Sequence, residues 1–222
     1  MTFYQLLALQ IMAHLFADYF FQTNKWIESR NNHGLKSRFF LLHIGIVFLT
    51  SWLLAFQWQF VTGALIITLI HTSLDILKTR LERIGTLRPY LFFVDQILHL
   101  VTILIVVFWY SNAFEPRLWL CALSLSAKQL FIVAAYLFCI KPANILLREI
   151  FSFYDIRMPD NNEEGLQNLP NAGQLIGTME RTLALTFILL GHFEAVGLLI
   201  AAKSILRFGE KDPETPHAHL LY

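Results

Sequence analysis

The chain has 222 residues, of which 56% are apolar and only 15% are charged. Soluble domains carry roughly a quarter of their residues as Asp, Glu, Lys and Arg, because charged side chains keep the surface hydrated. The composition therefore excludes a typical soluble globular protein and indicates an integral membrane protein. The 17 basic and 16 acidic residues leave a formal net charge of +1, so no overall charge favours nucleic acid as a partner.

Five apolar runs follow one another along the chain, each near the length of about 20 residues that a helix needs to cross a bilayer. They occupy roughly residues 3–21, 39–61, 62–78, 89–110 and 118–140. A last apolar stretch, from Gly173 to Phe208, contains Gly191-His192 and predicts two short spans joined by a tight turn, or one re-entrant hairpin. The sequence thus predicts an all-α transmembrane bundle of about seven spans, forming a single membrane domain over residues 1–222.

Basic residues between the runs set the expected orientation. They form two groups, one before the second run and one before the fourth: Lys25, Arg30, Lys36 and Arg38, then Lys78, Arg80, Arg83 and Arg88. The connections near Gln57 and Ser111 carry almost no basic residues. Because cytoplasmic loops are enriched in Lys and Arg, we expect the N-terminus outside and the C-terminus in the cytoplasm.

Two segments outside the spans are expected, over residues 141–172 and 209–222. In the first, Ile150 and its apolar neighbours can face the membrane while Arg148 faces water, which predicts an amphipathic helix on the cytoplasmic membrane surface. The polar tract 160–165 predicts a loop that either covers a site or only connects two helices. The second segment, rich in Pro and His, is predicted to be a C-terminal tail.

Ionisable residues inside the apolar runs are informative, because a charge at mid-membrane costs on the order of 3 kcal/mol. Three runs contain a His and an Asp four residues apart, a spacing that places both side chains on one helix face about 6 Å apart. These pairs are His14 and Asp18, His71 and Asp75, and Asp95 and His99. Side chains at this spacing can share a metal ion or a proton.

His43 and Glu180 are two further ionisable residues in apolar runs. Counting about 1.5 Å per residue from the expected cytoplasmic ends places all eight residues in one layer, about 5–15 Å deep. Four imidazoles and four carboxylates in one layer form the ligand set of a mononuclear or dinuclear centre of zinc, the first candidate, or of iron or manganese. Two alternatives remain open: a metal-free proton or ion relay, and buried ion pairs that only hold helices together.

Two basic residues are candidates for binding an anionic group of a substrate. Lys128 lies in the middle of the run 118–140, and Arg181 follows Glu180 directly and could clamp a phosphate or carboxylate. The plainer alternatives are a lysine extended along its helix and a Glu-Arg salt bridge. Glu180 and His43 are also candidates for a general base.

Several of these motifs, in this order, resemble a known bacterial membrane family, the domain of unknown function 3307. The matching segments are AHLFADYFFQTNKW, the LLH that ends at His43, HTSLDILK, DQILHL and GQLIGTMERTLALTFILLGHFEAVGLLIAAKSILRF. The resemblance extends from Ala13 to Phe208 and implies a multi-pass protein of the bacterial inner membrane. It implies no particular activity. It also implies that six residues form a characteristic polar set: His14, Asp18, His71, Asp75, Asp95 and His99.

The leading functional hypothesis is a metal-dependent hydrolase or transferase. Its metal, held by the six residues of the polar set, would activate water or polarise a carbonyl or phosphoryl group near the cytoplasmic membrane surface. The depth of the site suggests an amphiphilic or lipid-linked substrate, with the lipid bilayer itself as the surrounding partner.

Two rival functions use the same residues. A carrier or channel would bind protons or metal cations in passage, but it needs a polar path to the other face. The outer parts of three runs, residues 49–55, 65–70 and 101–108, are almost wholly apolar, which favours a one-sided site. The other rival is a non-enzymatic membrane sensor or assembly factor, in which metal or protonation sets helix packing.

Overall fold

The computed structural model describes residues 1–22, 38–82, 88–114, 125–154 and 172–209. These residues form eight α-helices: α1 (Phe3–Leu15), α2 (Arg38–Leu54), α3 (Val61–Leu81), α4 (Arg88–Ala113), α5 (Ala127–Ile140), α6 (Pro142–Phe153), α7 (Ala172–Leu190) and α8 (Phe193–Gly209). A π-helix, Phe16–Phe21, continues α1. The predicted all-α class is confirmed for the described residues, while the predicted loop at 160–165 and the tail after 209 lie outside them.

Two helices begin with a capping box, in which side chains satisfy the free N–H groups of the first turn. At α1 the backbone N–H of Gln5 donates to Thr2 Oγ1 at 3.3 Å, and the N–H of Thr2 donates to Gln5 Oε1 at 2.7 Å. Ser126 and Gln129 form the same arrangement at α5. At α6 the first residue is Pro142, whose fixed φ suits that position. Local sequence therefore sets where these helices start.

The predicted turn at Gly191 is confirmed. Gly191 adopts φ +79°, a left-handed conformation that glycine reaches without strain. The N–H of His192 donates to the carbonyl of Phe187 at 2.8 Å, which closes the last turn of α7. As a result α7 and α8 pack against each other as a helical hairpin.

The α1 helix is the centre of the bundle and contacts α2, α4 and α5, while α3 packs between α2 and α4. One apolar cluster joins Leu6 of α1 to Phe60, Ile103 and Val107, and each of these four side chains is nearly or fully buried. Outward-facing residues of α2, α3 and α4 are mostly large and apolar, and several are more than half exposed, including Leu69. Apolar side chains in this exposed position are typical of a surface that faces lipid.

Two of the helices are long and apolar enough to cross a membrane. They are Trp58–Leu81 and Tyr90–Ala113, with 24 residues each, or about 36 Å. The pair α5 and α6 makes a third if it counts as one span with a 50° bend. The expected count of about seven spans is not supported by the described residues. One reason is length, because the α-helical part of α1 has 13 residues and α2 has 17.

Gly63 in α3 gives a test of this packing. A Cβ at this position would lie 2.8 Å from Cε2 of Phe60, whose ring is fully buried. We expect Gly63→Ala to lower the free energy of unfolding by about 1–3 kcal/mol through overpacking, seen as a lower Tm of the purified protein. Gly45→Ala in α2 is the matched control, because its Cβ would have no neighbour within 4 Å. Equal Tm values for the two variants would contradict the close contact.

Candidate functional site

Seven ionisable side chains converge at one end of the bundle and form a cluster, called here the His/Asp cluster. Six of them are buried, and the Asp18 side chain is 11% exposed. They come from α1 and its π-helical extension, α2, α3 and α4: His14, Asp18, His43, His71, Asp75, Asp95 and His99. Seven of the eight residues predicted to share one layer thus lie together.

The spacing of four residues brings each His beside its Asp, as predicted. Nδ1 of His14 lies 3.6 Å from Oδ2 of Asp18, although the carboxylate belongs to the π-helical turn. Nε2 of His71 lies 3.7 Å from Oδ2 of Asp75 on α3. Nδ1 of His99 lies 3.6 Å from Oδ1 of Asp95 on α4. π-Helical turns are frequent at functional sites, which draws attention to the end of α1.

Two triangles of potential ligand atoms share one edge at the centre of the cluster. This edge joins Nε2 of His43 to Nε2 of His71, which are 3.2 Å apart. Oδ2 of Asp75 closes the first triangle at 3.5 and 3.7 Å from these nitrogens. Oδ1 of Asp18 closes the second at 3.7 and 3.4 Å. Ligands about 2.0–2.1 Å from a tetrahedral zinc ion are about 3.3–3.5 Å from one another, so both triangles have the dimensions of a metal-site face.

The ring orientation of His99 is typical of a metal ligand. Its Nδ1 lies 2.8 Å from the backbone carbonyl of Asp95, and because a carbonyl only accepts, Nδ1 is the donor. This bond leaves Nε2 as the acceptor nitrogen, and Nε2 is buried with no hydrogen-bond partner among the described residues. Histidines that bind metals commonly anchor one ring nitrogen in this way. Asp75, Asp95 and His99 also satisfy the distances of a three-ligand group.

Three polar residues beside the cluster were not predicted as site residues. Oδ2 of Asp95 accepts a hydrogen bond from Lys78 Nζ at 3.0 Å and another from Gln96 Nε2 at 3.1 Å. The side-chain oxygen of Gln96, Oε1, accepts a hydrogen bond from the Tyr19 hydroxyl at 2.7 Å and lies 3.3 Å from Nε2 of His14. Each of these residues is adjacent to a motif residue or one helical turn from it, and that proximity was the available signal.

The charges of the cluster do not balance. Among the described residues, three carboxylates face one ammonium group, that of Lys78, which leaves a formal charge of −2 when the imidazoles are neutral. Oδ1 of Asp18 and Oδ1 of Asp95 are buried and make no hydrogen bond to the described residues. Buried anionic oxygens without a hydrogen bond are costly, because no water replaces the lost solvation. The site therefore favours a bound cation, either protons on the imidazoles or a metal ion.

A cavity of ≈ 20 Å³ lies beside His14, His71 and His99, on the side away from the Asp residues. This volume is sufficient for about one water molecule. Its wall includes Gln10 and Ser51, which form a buried pair: Ser51 Oγ donates to Gln10 Oε1 at 2.6 Å, and Gln10 Nε2 donates to the Ser51 carbonyl at 2.9 Å. Beyond this pair lies the apolar cluster around Leu6, which also contains Tyr110, whose hydroxyl donates to Oε1 of the buried Gln57 at 3.1 Å.

Glu180 is the predicted layer residue that the structure does not bring to the cluster. It lies on α7, which packs against α5, α6 and α8, and its carboxylate pairs with Nζ of Lys203 on α8. Glu180 lies apart from the cluster because equal depth along two helix axes does not make the helices neighbours. Lys128 also lies elsewhere: it is exposed in the first turn of α5 rather than in the middle of a span.

Arg181 contacts the bend between α5 and α6. Its Nε donates to the carbonyl of Cys139 at 3.4 Å, and its Nη2 donates to Asn144 and to Thr178 Oγ1. The side-chain amide of Asn144 in turn donates to the carbonyl of Ile140 at 2.7 Å. These groups satisfy carbonyls at the end of α5, where the helical hydrogen-bond pattern is interrupted. The contacts place Arg181 at a helix break and not at the His/Asp cluster.

We expect Arg181→Met to lower the free energy of unfolding by about 1–3 kcal/mol, because the carbonyl of Cys139 loses its donor. Lys128→Met removes the same charge from an exposed position and should change stability by less than about 0.5 kcal/mol. Thermal unfolding of both purified variants measures the difference. An Arg181→Met protein as stable as Lys128→Met would show that these hydrogen bonds do not support the bend.

The fold and the site together define an all-α bundle with a buried His/Asp cluster at one end. The chain belongs to the family described as protein of unknown function (DUF3307), whose sequence model matches residues 6–122, or 117 of 222. The expected family is thereby confirmed. All seven residues of the cluster lie inside the matched range, whereas Lys128, Glu180 and Arg181 lie outside it. No curated protein and no solved structure matches the chain.

Proposed function

We propose that the protein is an integral membrane metalloprotein whose His/Asp cluster binds at least one divalent metal ion, with zinc as the first candidate and iron or manganese as alternatives. The observation that carries this proposal is the pair of ligand triangles on the edge between His43 and His71. Their separations of 3.2–3.7 Å suit ligands of a single ion. Imidazole and carboxylate are also the ligands that these metals share.

Charge supports the same proposal. One divalent cation would neutralise the formal charge of −2 that three carboxylates and Lys78 leave in the cluster. An ion held by His43, His71 and Asp18 would also give a partner to the buried Oδ1 of Asp18. Asp75, Asp95 and His99 would hold the second ion of a dinuclear site.

The reaction class that we propose is hydrolysis or group transfer on an amphiphilic or lipid-linked substrate. A bound metal would supply an activated water molecule or a polarised carbonyl or phosphoryl group. Residues of the protein would hold the ligands in position. Asp95 orients the ring of His99, and Gln96 orients the ring of His14. His14 also borders the water-sized cavity, so it replaces Glu180 as the candidate for a general base.

We further propose that the protein lies in the bacterial inner membrane with the His/Asp cluster near the cytoplasmic face. Both groups of basic residues identified in the sequence adjoin the helix ends that carry the cluster. The positive-inside rule places such ends in the cytoplasm. Helix α6, which is amphipathic in sequence and meets α5 at a 50° bend, then lies at the cytoplasmic membrane surface.

A carrier or channel remains the rival function. The water-sized cavity and the Gln10–Ser51 pair extend the polar interior beyond the cluster, which a transport path requires. The apolar cluster that includes Leu6, Phe60 and Val107 then blocks it. A polar site open to one side only favours an enzymatic site over a transport path. Purified protein in vesicles that transports protons or divalent cations down a gradient would favour the carrier instead.

Metal content tests the proposed function directly. Full-length protein purified in detergent without chelator should contain about one or two divalent ions per chain by elemental analysis. Treatment with a chelator should remove them, and zinc added back should restore them. Protein that retains far less than one ion per chain, and that takes up none on addition of zinc, iron or manganese, would overturn the proposal.

A further inference from the structure

An apolar groove of ≈ 480 Å³ lies between α1, α4, α5 and α6 and ends at the His/Asp cluster. Of its 14 lining residues, 11 are apolar. The other three are polar: His14 and Tyr19 both contact Oε1 of the Gln96 side chain. Among the residues that the structure describes, the groove is therefore polar at one place only, and that place adjoins the site.

The polar end is continuous with the His/Asp cluster. Gln96 lines the groove with one side and donates to Oδ2 of Asp95 at 3.1 Å with its amide nitrogen. His14 borders the groove, the water-sized cavity and Asp18 at once. A polar group held at His14 and Gln96 would thus lie beside the carboxylates, without any barrier of apolar side chains between them.

The rest of the groove has the shape and chemistry of a site for a hydrocarbon chain. Its wall on α4 extends from Phe92 to Leu100, or about 12 Å. Phe131 and Phe138 of α5 form the opposite wall, and Leu146 contributes from α6. The volume is within the roughly 300–1,000 Å³ of small-molecule sites, which are mostly apolar with a few polar groups that fix orientation.

We propose that this groove binds a single hydrocarbon chain of an amphiphile and positions its polar head at His14, Tyr19 and Gln96, beside the His/Asp cluster. The inference rests on the proposed function and specifies its substrate class as a molecule with one apolar chain and an oxygen-bearing head. Burial of the hydrocarbon chain provides the binding free energy, and the polar end of the groove sets the orientation of the amphiphile. The head is then next to the residues proposed to hold metal.

Photo-crosslinking tests the groove without assuming a metal. The probe is hexadecan-1-ol with a diazirine on its chain, added to full-length protein in phosphatidylcholine nanodiscs, and labelled residues are mapped by mass spectrometry. We expect saturable labelling of groove residues such as Ile97 and Phe138. Excess hexadecan-1-ol should compete with the probe. Butan-1-ol, whose chain is much shorter, and hexadecane, which has no hydroxyl head, should compete poorly.

Ala135 gives the matched variants, because it lines the groove and is half-buried. Ala135→Trp should lower the saturable labelling at least about tenfold, the loss expected when even two methylene groups leave an apolar site. Ala135→Leu should lower it less, and it provides the test if the tryptophan variant does not fold. Val133→Trp is the control on the same helix, because Val133 is 45% exposed and does not line the groove.

The outcomes separate this inference from the proposed function, because metal content is measured on the same samples. Non-saturable labelling, or equal labelling of the Ala135 variants and Val133→Trp, would overturn the groove proposal even if the metal is present. Competition by hexadecane equal to that by hexadecan-1-ol would overturn the position of the head. Saturable labelling of metal-free protein would support the groove, while the proposed metal chemistry would fail.

Discussion

Replacing His71 with alanine should strongly weaken metal binding at the two ligand triangles of the His/Asp cluster. Nε2 of His71 belongs to both ligand triangles, and its ring lies 4.2 Å from that of His99. Loss of a supporting residue alone typically weakens metal affinity 10–100-fold, so loss of this shared ligand should weaken it more than about 100-fold. Elemental analysis and zinc titration of the purified variant measure the change.

His192→Ala is the matched control for this experiment. His192 is exposed at the turn between α7 and α8, far along the chain from any residue of the cluster. The control should retain the metal content and zinc affinity of the unmodified protein. If His71→Ala retains its metal as well as His192→Ala does, the proposed ligand set is wrong, whatever the metal content of the unmodified protein.

Replacing Lys78 with methionine should strongly destabilise the metal-free protein. Its ammonium group lies 3.0 Å from Oδ2 of Asp95, whose side chain is only 5% exposed, and it is the one ammonium group that faces the cluster among the described residues. Removal of one partner of a buried ion pair leaves an uncompensated charge and typically costs about 3–5 kcal/mol. The free energy of unfolding, measured in chelator, should fall by that amount.

Two controls make this result specific. Lys203→Met breaks the pair with Glu180, in which the lysine is 61% exposed, and should cost less than about 1 kcal/mol. The double variant Lys78→Met/Asp95→Asn removes both charges and should recover much of the lost stability. A Lys78→Met protein as stable as Lys203→Met would show that Lys78 does not compensate a buried carboxylate.

Periodicity predicted the His/Asp pairs because it depends only on helix geometry. An α-helix places residues four apart on one face, and apolar runs of near-span length identify the helices. Depth along each helix could likewise be counted, and seven of the eight residues in the counted layer lie together in the structure. Lys78, Gln96 and Tyr19 lie next to a motif residue or one helical turn from it, but they do not follow the spacing of four residues that selected the pairs.

Glu180 shows what depth cannot decide. Its distance along the helix axis suits the layer, but the position of α7 around the bundle depends on which faces pack together. The number of spans is a similar case, because the apolar runs do not show that α1 changes to a π-helix after Leu15 or that α5 and α6 meet at a 50° bend. Side-chain packing and local hydrogen bonding determine both features.

The sequence by itself therefore determined the helical class, the family and the seven residues of the His/Asp cluster, since each depends on local pattern. The tertiary structure alone decided which of those residues meet. It joined His43 to His71 across two helices, excluded Glu180 and Arg181, and placed an apolar groove against His14. The physical reason is that helix periodicity fixes the direction of a side chain on its own helix, whereas its neighbours depend on packing between helices.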